Sequence, residues 1–152
     1  MNHRHRGDDG IGFHAFVQLY QADYLLYAQA RLGDPLASRT AVEQALRRTE
    51  QGWSLVLRRR RPNACAWRIL RATVDVACCV SSRPALDLMR RGLPEAKADA
   101  ALLHHRLGMP VGRAAALMGV EASTVRADLL MVQRLLGWAP EVIEEEEQRS
   151  TR

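Results

Sequence analysis

Between Pro110 and Leu136 the chain holds two runs of helical period with only Gly119-Val120-Glu121 between them, and this spacing constrains the fold more than any other stretch. Pro110, with its fixed φ and missing N–H, suits a first helical turn, and Val111 to Met118 continues it. Gly119 accepts a positive φ without steric cost and ends the helix, and Val120 is expected to drop back into the core. The next helix places Val125, Leu129, Val132 and Leu136 on one side, at spacings of four, three and four. Its other side presents Ser123, Thr124, Arg126, Ala127, Leu130, Gln133 and Arg134. Helix, short glycine turn and helix together predict a helix-turn-helix. The small run Ala114-Ala115-Ala116 suits the close approach of two backbones over so short a connection.

Upstream, no segment alternates with period two, so no sheet is expected and the fold class is all-α. Phe13, Phe16, Val17, Tyr20, Tyr24, Tyr27, Ala28 and Leu32 recur at helical spacing and predict a first helix from Phe13 to about Leu32, ended by Gly33-Asp34-Pro35. A second helix runs from about Ser38, a suitable N-cap, to Gln51, with Ala41, Val42, Ala45 and Leu46 inward. Trp53, Leu55, Val56 and Leu57 form a short apolar connection into the run 58–61. A third helix opens at Pro62-Asn63, reaches about Cys79 and buries Trp67, Leu70, Val74 and Ala77.

The 152 residues allow one domain or two small ones. The expected organisation is a flexible polar start at 1–12, a helical domain at 13–80, a linker at 81–92, a second helical domain ending in the helix-turn-helix at 93–137, and an acidic tail at 138–152. Fully extended, the residues from Val80 to Gly92 span at most about 45 Å. One DNA turn is roughly 34 Å, so two domains joined in this way cover little more than a turn. Residues 84–91 of the linker are themselves a candidate helix, which would shorten it further.

An apolar fraction of 47% with 26% charged residues is that of a globular chain. Residues 1–12 lack the apolar core of a signal peptide, and no apolar run approaches the roughly 18 residues of a membrane span, so a cytoplasmic protein without a membrane partner is expected. Cys65, Cys78 and Cys79 cannot pair evenly, and the adjacent pair does not have zinc spacing, so all three read as small buried or half-buried thiols. His104 and His105 sit together on a helix without an acid or cysteine at metal spacing, and no glycine loop cradles a phosphate. The chain therefore reads as a non-enzyme with no catalytic residues, no metal and no cofactor. A formal charge of +5 favours a polyanionic partner. Arg58-Arg59-Arg60-Arg61 concentrates that charge, while Glu144 to Glu147 offsets part of it.

The order Gly108-Met109-Pro110-Val111, Ala115, Leu117-Met118-Gly119-Val120, Thr124-Val125-Arg126 resembles the region-4 domain of extracytoplasmic-function sigma factors, which reads roughly G-L-S-x-x-E-I-A-x-x-L-G-V-x-x-G-T-V-K. The first half is similar to sigma region 2 in F-x-x-L-Y-x-x-x-Y from Phe16 to Tyr24, in Arg31-Leu32-Gly33-Asp34, in Ala41-Val42-Glu43-Gln44-Ala45-Leu46 with Trp53, and in Ala66-Trp67 and Asp75. The resemblance implies a diverged sigma factor that binds promoter DNA and RNA polymerase core in transcription initiation, with an anti-sigma or other regulatory protein as a further partner. On that reading Ser123, Thr124, Arg126 and Ala127 meet bases or nearby phosphates, Arg134 lies near the backbone, and Arg113 adds a phosphate contact. Arg59, Arg60, Arg61, Arg68 and Arg71 supply the electrostatic contact of the first domain, for which a solvated loop is the ordinary alternative. Glu43, Gln44, Arg47 and Arg48 face the polymerase.

The chain also departs from the family. Arg39-Thr40 stands where an acidic pair is usual, and Asp128, Leu130 and Met131 stand where basic residues are common. Asp128 is a candidate surface partner of Arg126 or Arg113. An exposed Leu130-Met131 pair suits a protein interface. The alternative is a degenerate sigma-like protein acting as a non-enzymatic protein-interaction regulator.

Overall fold

Proline and glycine set most of the helix ends, and the architecture follows from where they fall. The computed structural model describes residues 5–80, 90 and 92–137, and all the regular structure among them is helical. The elements are α1 (His5–Leu32), α2 (Pro35–Gln51), α3 (Trp53–Leu57), α4 (Pro62–Val80), α5 (Glu95–Ala101) continuing into a π-helical turn (Leu102–Arg106), α6 (Val111–Met118) and α7 (Ala122–Leu136). The chain divides into two compact units, one built on α1–α4 and one on α5–α7, with Leu117–Gly119 grouped with the first. Residues 1–4, the linker apart from Arg90 and Gly92, and the acidic tail with Glu144–Glu147 lie outside the described residues. Among the described residues no helix is long and apolar enough to cross a membrane.

In the N-terminal unit α2 and α4 pack on each other and both pack on α1, with the single turn of α3 closing against all three. The core joins Phe16, Tyr24, Tyr27 and Leu32 of α1, Ala41, Val42, Ala45 and Leu46 of α2, Trp53 and Val56 of α3, and Trp67, Leu70 and Val74 of α4. Aromatic rings carry much of it: Tyr27 and Trp67 lie 4.6 Å apart by centroid, and Phe13 meets Trp53 edge-on at 5.3 Å. Burial, and then the neighbouring Tyr20, push the Tyr24 phenol well above its ordinary pKa, so it stays protonated.

Arg31, in the last turn of α1, is only 5% exposed. Its Nη1 donates to Asp75 Oδ1 of α4 at 2.5 Å and to the Tyr27 hydroxyl at 3.2 Å. Burial by itself would lower the guanidinium pKa, but Tyr27 and Asp75 outweigh it and the group stays charged. The contact joins residues 44 positions apart, so it fixes how α1 and α4 register.

Several boundaries differ from those expected of the sequence. α1 begins at His5 and not at Phe13: the helix continues back through Gly7, Gly10 and Gly12, and residues 5–12 contain no proline to stop it. The cap of α2 is Asp34, not Ser38: Asp34 Oδ1 accepts from the Leu36 N–H at 3.0 Å, with Pro35 at the first helical position. Ser38 lies buried in the first turn and donates its hydroxyl to the Asp34 carbonyl at 2.6 Å. The apolar connection 53–57 is a helical turn, and Ala77 is half-buried.

In the C-terminal unit α5 packs on α7 through small and branched residues, with Ala98, Ala101, Val125, Leu129 and Val132 buried. The π-helical turn bonds the Leu107 N–H to the Leu102 carbonyl at 3.1 Å and the Met109 N–H to the Leu103 carbonyl at 2.9 Å. His104 is buried there and its Nδ1–H donates to the Met109 carbonyl at 2.8 Å, which fixes the tautomer. Burial, and then His104, lower the pKa of the adjacent His105. Ion pairs tie the unit together, among them Arg90 with the fully buried Asp99 at 2.5 Å and Lys97 of α5 with Asp128 of α7 at 2.9 Å. Gly119 takes φ +70°, the left-handed conformation that lets α6 stop in one residue. Val120 is half-buried and not in the core, Leu136 is 41% exposed, and Gln133 is buried at 4% exposure. Gln133 follows Leu129 by one turn on the packed side, whereas Leu136 is the last helical residue.

Replacing Asp75 with Ala should destabilise the chain by about 1 to 3 kcal/mol in denaturant unfolding, less than a fully buried pair because the Asp75 side chain is 38% exposed. The double variant Asp75→Ala/Arg31→Met should recover most of the loss, since no guanidinium is then left buried without its carboxylate.

Candidate nucleic-acid interface

The outward side of α7 is set by its inward side. Glu121 is extended, at φ −72° and ψ 146°, and its carbonyl accepts from the N–H groups of Thr124 and Val125 at 3.0 and 3.3 Å, which starts the helix. With Val125, Leu129 and Val132 locked in the core, the helical period turns Ser123, Thr124, Ala127, Leu130 and Arg134 to solvent. Arg126 stands at the edge of this face and is half-buried. Its length still lets the guanidinium reach past the rim. Gln133, expected on the outer face, is inward. Arg113 is exposed on α6.

The Asp128 carboxylate lies 2.9 Å from Lys97 Nζ, a partner 31 residues away, where the sequence suggested Arg126 or Arg113. Lys97 thereby offsets the one acidic charge on α7. No local sequence signal identifies Lys97, because the pair exists only once α5 lies on α7. Past the polar start of α7 the outward surface turns apolar, with Leu130 43%, Met131 47%, Leu135 61% and Leu136 41% exposed.

In the N-terminal unit Arg58, Arg59, Arg60 and Arg61 are all exposed in the connection between α3 and α4. Arg68 is exposed and Arg71 half-buried on α4, whose inward side is taken by Trp67, Leu70 and Val74. Glu43, Gln44, Arg47 and Arg48 are exposed together on α2, opposite Ala41, Val42, Ala45 and Leu46, and Arg48 Nη1 lies 3.4 Å from Thr73 Oγ1 of α4. Gln44 also lines an open cleft of about 860 Å³ walled by Leu32, Pro35, Leu36, Ala77 and Val80.

Cys65 and Cys78 are half-buried, whereas Cys79 is exposed, unlike the expectation that all three would be covered. Among the described residues no group of three His, Cys, Asp or Glu side chains is placed to hold a metal. The arrangement therefore offers cationic and hydrogen-bonding surfaces on fixed helices. Comparison of the chain with protein-family models, curated proteins and solved structures finds no match.

Proposed function

We propose that the chain is a diverged sigma-factor-like transcription initiation protein of two small helical domains, which binds promoter DNA and RNA polymerase core. The observation that carries this reading is the outward side of α7, where Ser123, Thr124 and Ala127 are exposed just beyond the left-handed turn at Gly119 and Arg134 in the last turn of the helix. With α6 and α7 acting as a helix-turn-helix, the start of α7 enters the major groove, where hydroxyls and a guanidinium reach base edges or phosphates. Arg113 and Arg134 hold the flanking backbone. In the first domain Arg59, Arg60, Arg61, Arg68 and Arg71 neutralise phosphates and release counterions. Glu43, Gln44, Arg47 and Arg48 meet the polymerase.

A second reading has its own support. Leu130, Met131, Leu135 and Leu136 form an exposed apolar end to α7, a surface suited to a protein partner. On this reading the chain is a degenerate sigma-like regulator that acts without DNA. Comigration of the purified chain with core polymerase separates the two. The first reading predicts a complex that a double charge reversal at Arg47 and Arg48 disrupts, and failure both to comigrate and to bind DNA hands the protein to the second.

Replacing Arg126 with Ala should weaken binding to a cognate promoter fragment by about 1 to 3 kcal/mol if Arg126 reads a base, and by less, evenly across sequences, if it touches a phosphate. Unchanged affinity on every duplex would remove Arg126 from the interface. Replacing Arg59, Arg60 and Arg61 together with Ala should reduce the slope of log affinity against log salt by up to about 3, and an unaltered slope would return the run to ordinary solvated charge.

A further inference from the structure

Between Gly12 and Leu32, α1 carries two charged residues, Asp23 and Arg31, and both are buried, at 3% and 5% exposure. Its solvent side carries no Asp, Glu, Lys or Arg: Ala15, Gln18, Leu19, Ala22, Leu26 and Gln29 are exposed there, Leu19 at 69% and Leu26 at 46%. A solvated helix face ordinarily carries charge. Between Gly12 and Leu32 a chain with 26% charged residues thus keeps Asp, Glu, Lys and Arg off the outer face of this helix, with the exposed His14 to one side of the strip.

The order of residues on that face is specific. Ala15, Leu19, Ala22 and Leu26 follow at spacings of four, three and four, the period of a helix-pairing seam, and lie within about 60° of one another around the axis. The buried stripe with Phe16, Tyr24 and Tyr27 lies on the other side. The exposed seam alternates small and large, and it is its own complement. When α1 runs antiparallel past a second copy about a point between Tyr20 and Gln21, Ala15 falls opposite Leu26 of the second copy, and Leu19 opposite Ala22. Each leucine then meets an alanine, so the two axes can approach to about 8 Å, the close end of the helix-packing range.

We propose that this face of α1 is a self-association surface, on which two copies of the chain pair antiparallel about a two-fold axis through Ala15, Leu19, Ala22 and Leu26. Charge selects the occupant. Two copies that each carry a formal +5 repel, and an uncharged strip is where they meet without opposing like charges. A nucleic acid or a strongly charged protein finds no ionic partner on it. Area sets the strength. From Gly12 to Ala30 the strip is about 28 Å long and about 10 Å wide, a footprint on the order of 300 Å² per copy. That is well below the roughly 800 Å² per partner of a standard stable interface, so the dimer is weak and concentration-dependent. The inference rests on α1 alone and does not depend on the DNA-binding reading.

Sedimentation velocity of the full-length chain, without DNA, from low micromolar to near-millimolar concentration should show a monomer–dimer equilibrium. Leu19→Glu, at a largely exposed position, should leave the thermal midpoint unchanged and weaken dimerisation at least tenfold. Ala15→Lys and Leu26→Glu should each weaken it, and the two combined in one chain should restore it, because the new ammonium faces the new carboxylate across the two-fold. A wild-type chain that stays monomeric throughout overturns the proposal and leaves the face to a different protein. A dimer undiminished by Leu19→Glu, or a double variant no better than the singles, overturns it equally.

Discussion

A guanidinium taken out of water has to be met, and the N-terminal unit is arranged around meeting Arg31. Asp75 supplies the countercharge and Tyr27 a hydroxyl acceptor, while the Tyr27 ring lies 5.7 Å from the guanidinium carbon and packs on Trp67. The position suits a cation in any case, since the carbonyl end of α1 is close by. Apolar contacts alone tolerate small slips between helices, whereas a bond from one guanidinium to one carboxylate does not. Once α1 and α4 are registered, Trp67, Leu70 and Val74 point inward and Arg68 has to point out. The cationic side of α4 is thus a consequence of the core beneath it.

The C-terminal unit reaches the same end by different means. Its core is built largely of alanine and valine, which bury little area each but let α5 and α7 approach closely. Polar anchors make up for the modest apolar core: Arg90 on the fully buried Asp99, Lys97 on Asp128, and His104 donating to the Met109 carbonyl. The last of these holds the π-helical turn against the loop that leads into α6. The rotation of α7, and hence the identity of its outward residues, is set by Val125, Leu129 and Val132 in the core together with the Lys97–Asp128 pair.

Each unit therefore presents surfaces of distinct chemistry on its own packed helices. Arginines cluster where α3 passes into α4 and on the outer side of α2; the start of α7 is polar and its end apolar; the outer side of α1 between Gly12 and Leu32 carries no Asp, Glu, Lys or Arg. Polyanions are drawn to the first kind of surface through long-range attraction. The apolar and uncharged surfaces act only on contact, through shape and burial.

Local signals determined much of this in advance. Pro35, Pro62 and Pro110, with Gly33 and Gly119, mark helix ends because they alter backbone freedom within one or two residues, and the inward faces of α2 and α4 follow from a 3.6-residue period that needs no knowledge of the partner. The exposed places of Ser123, Thr124, Ala127 and Arg134 were legible for the same reason. Tertiary structure alone decided that Gln133 is buried and Leu136 is not, that Arg126 sits at the edge of its face, that Asp128 pairs with Lys97, and that Arg31 reaches Asp75. Periodicity gives the direction of a side chain from its own helix axis. It does not say how far the neighbouring helix extends, or which charge that helix brings from 31 or 44 residues away.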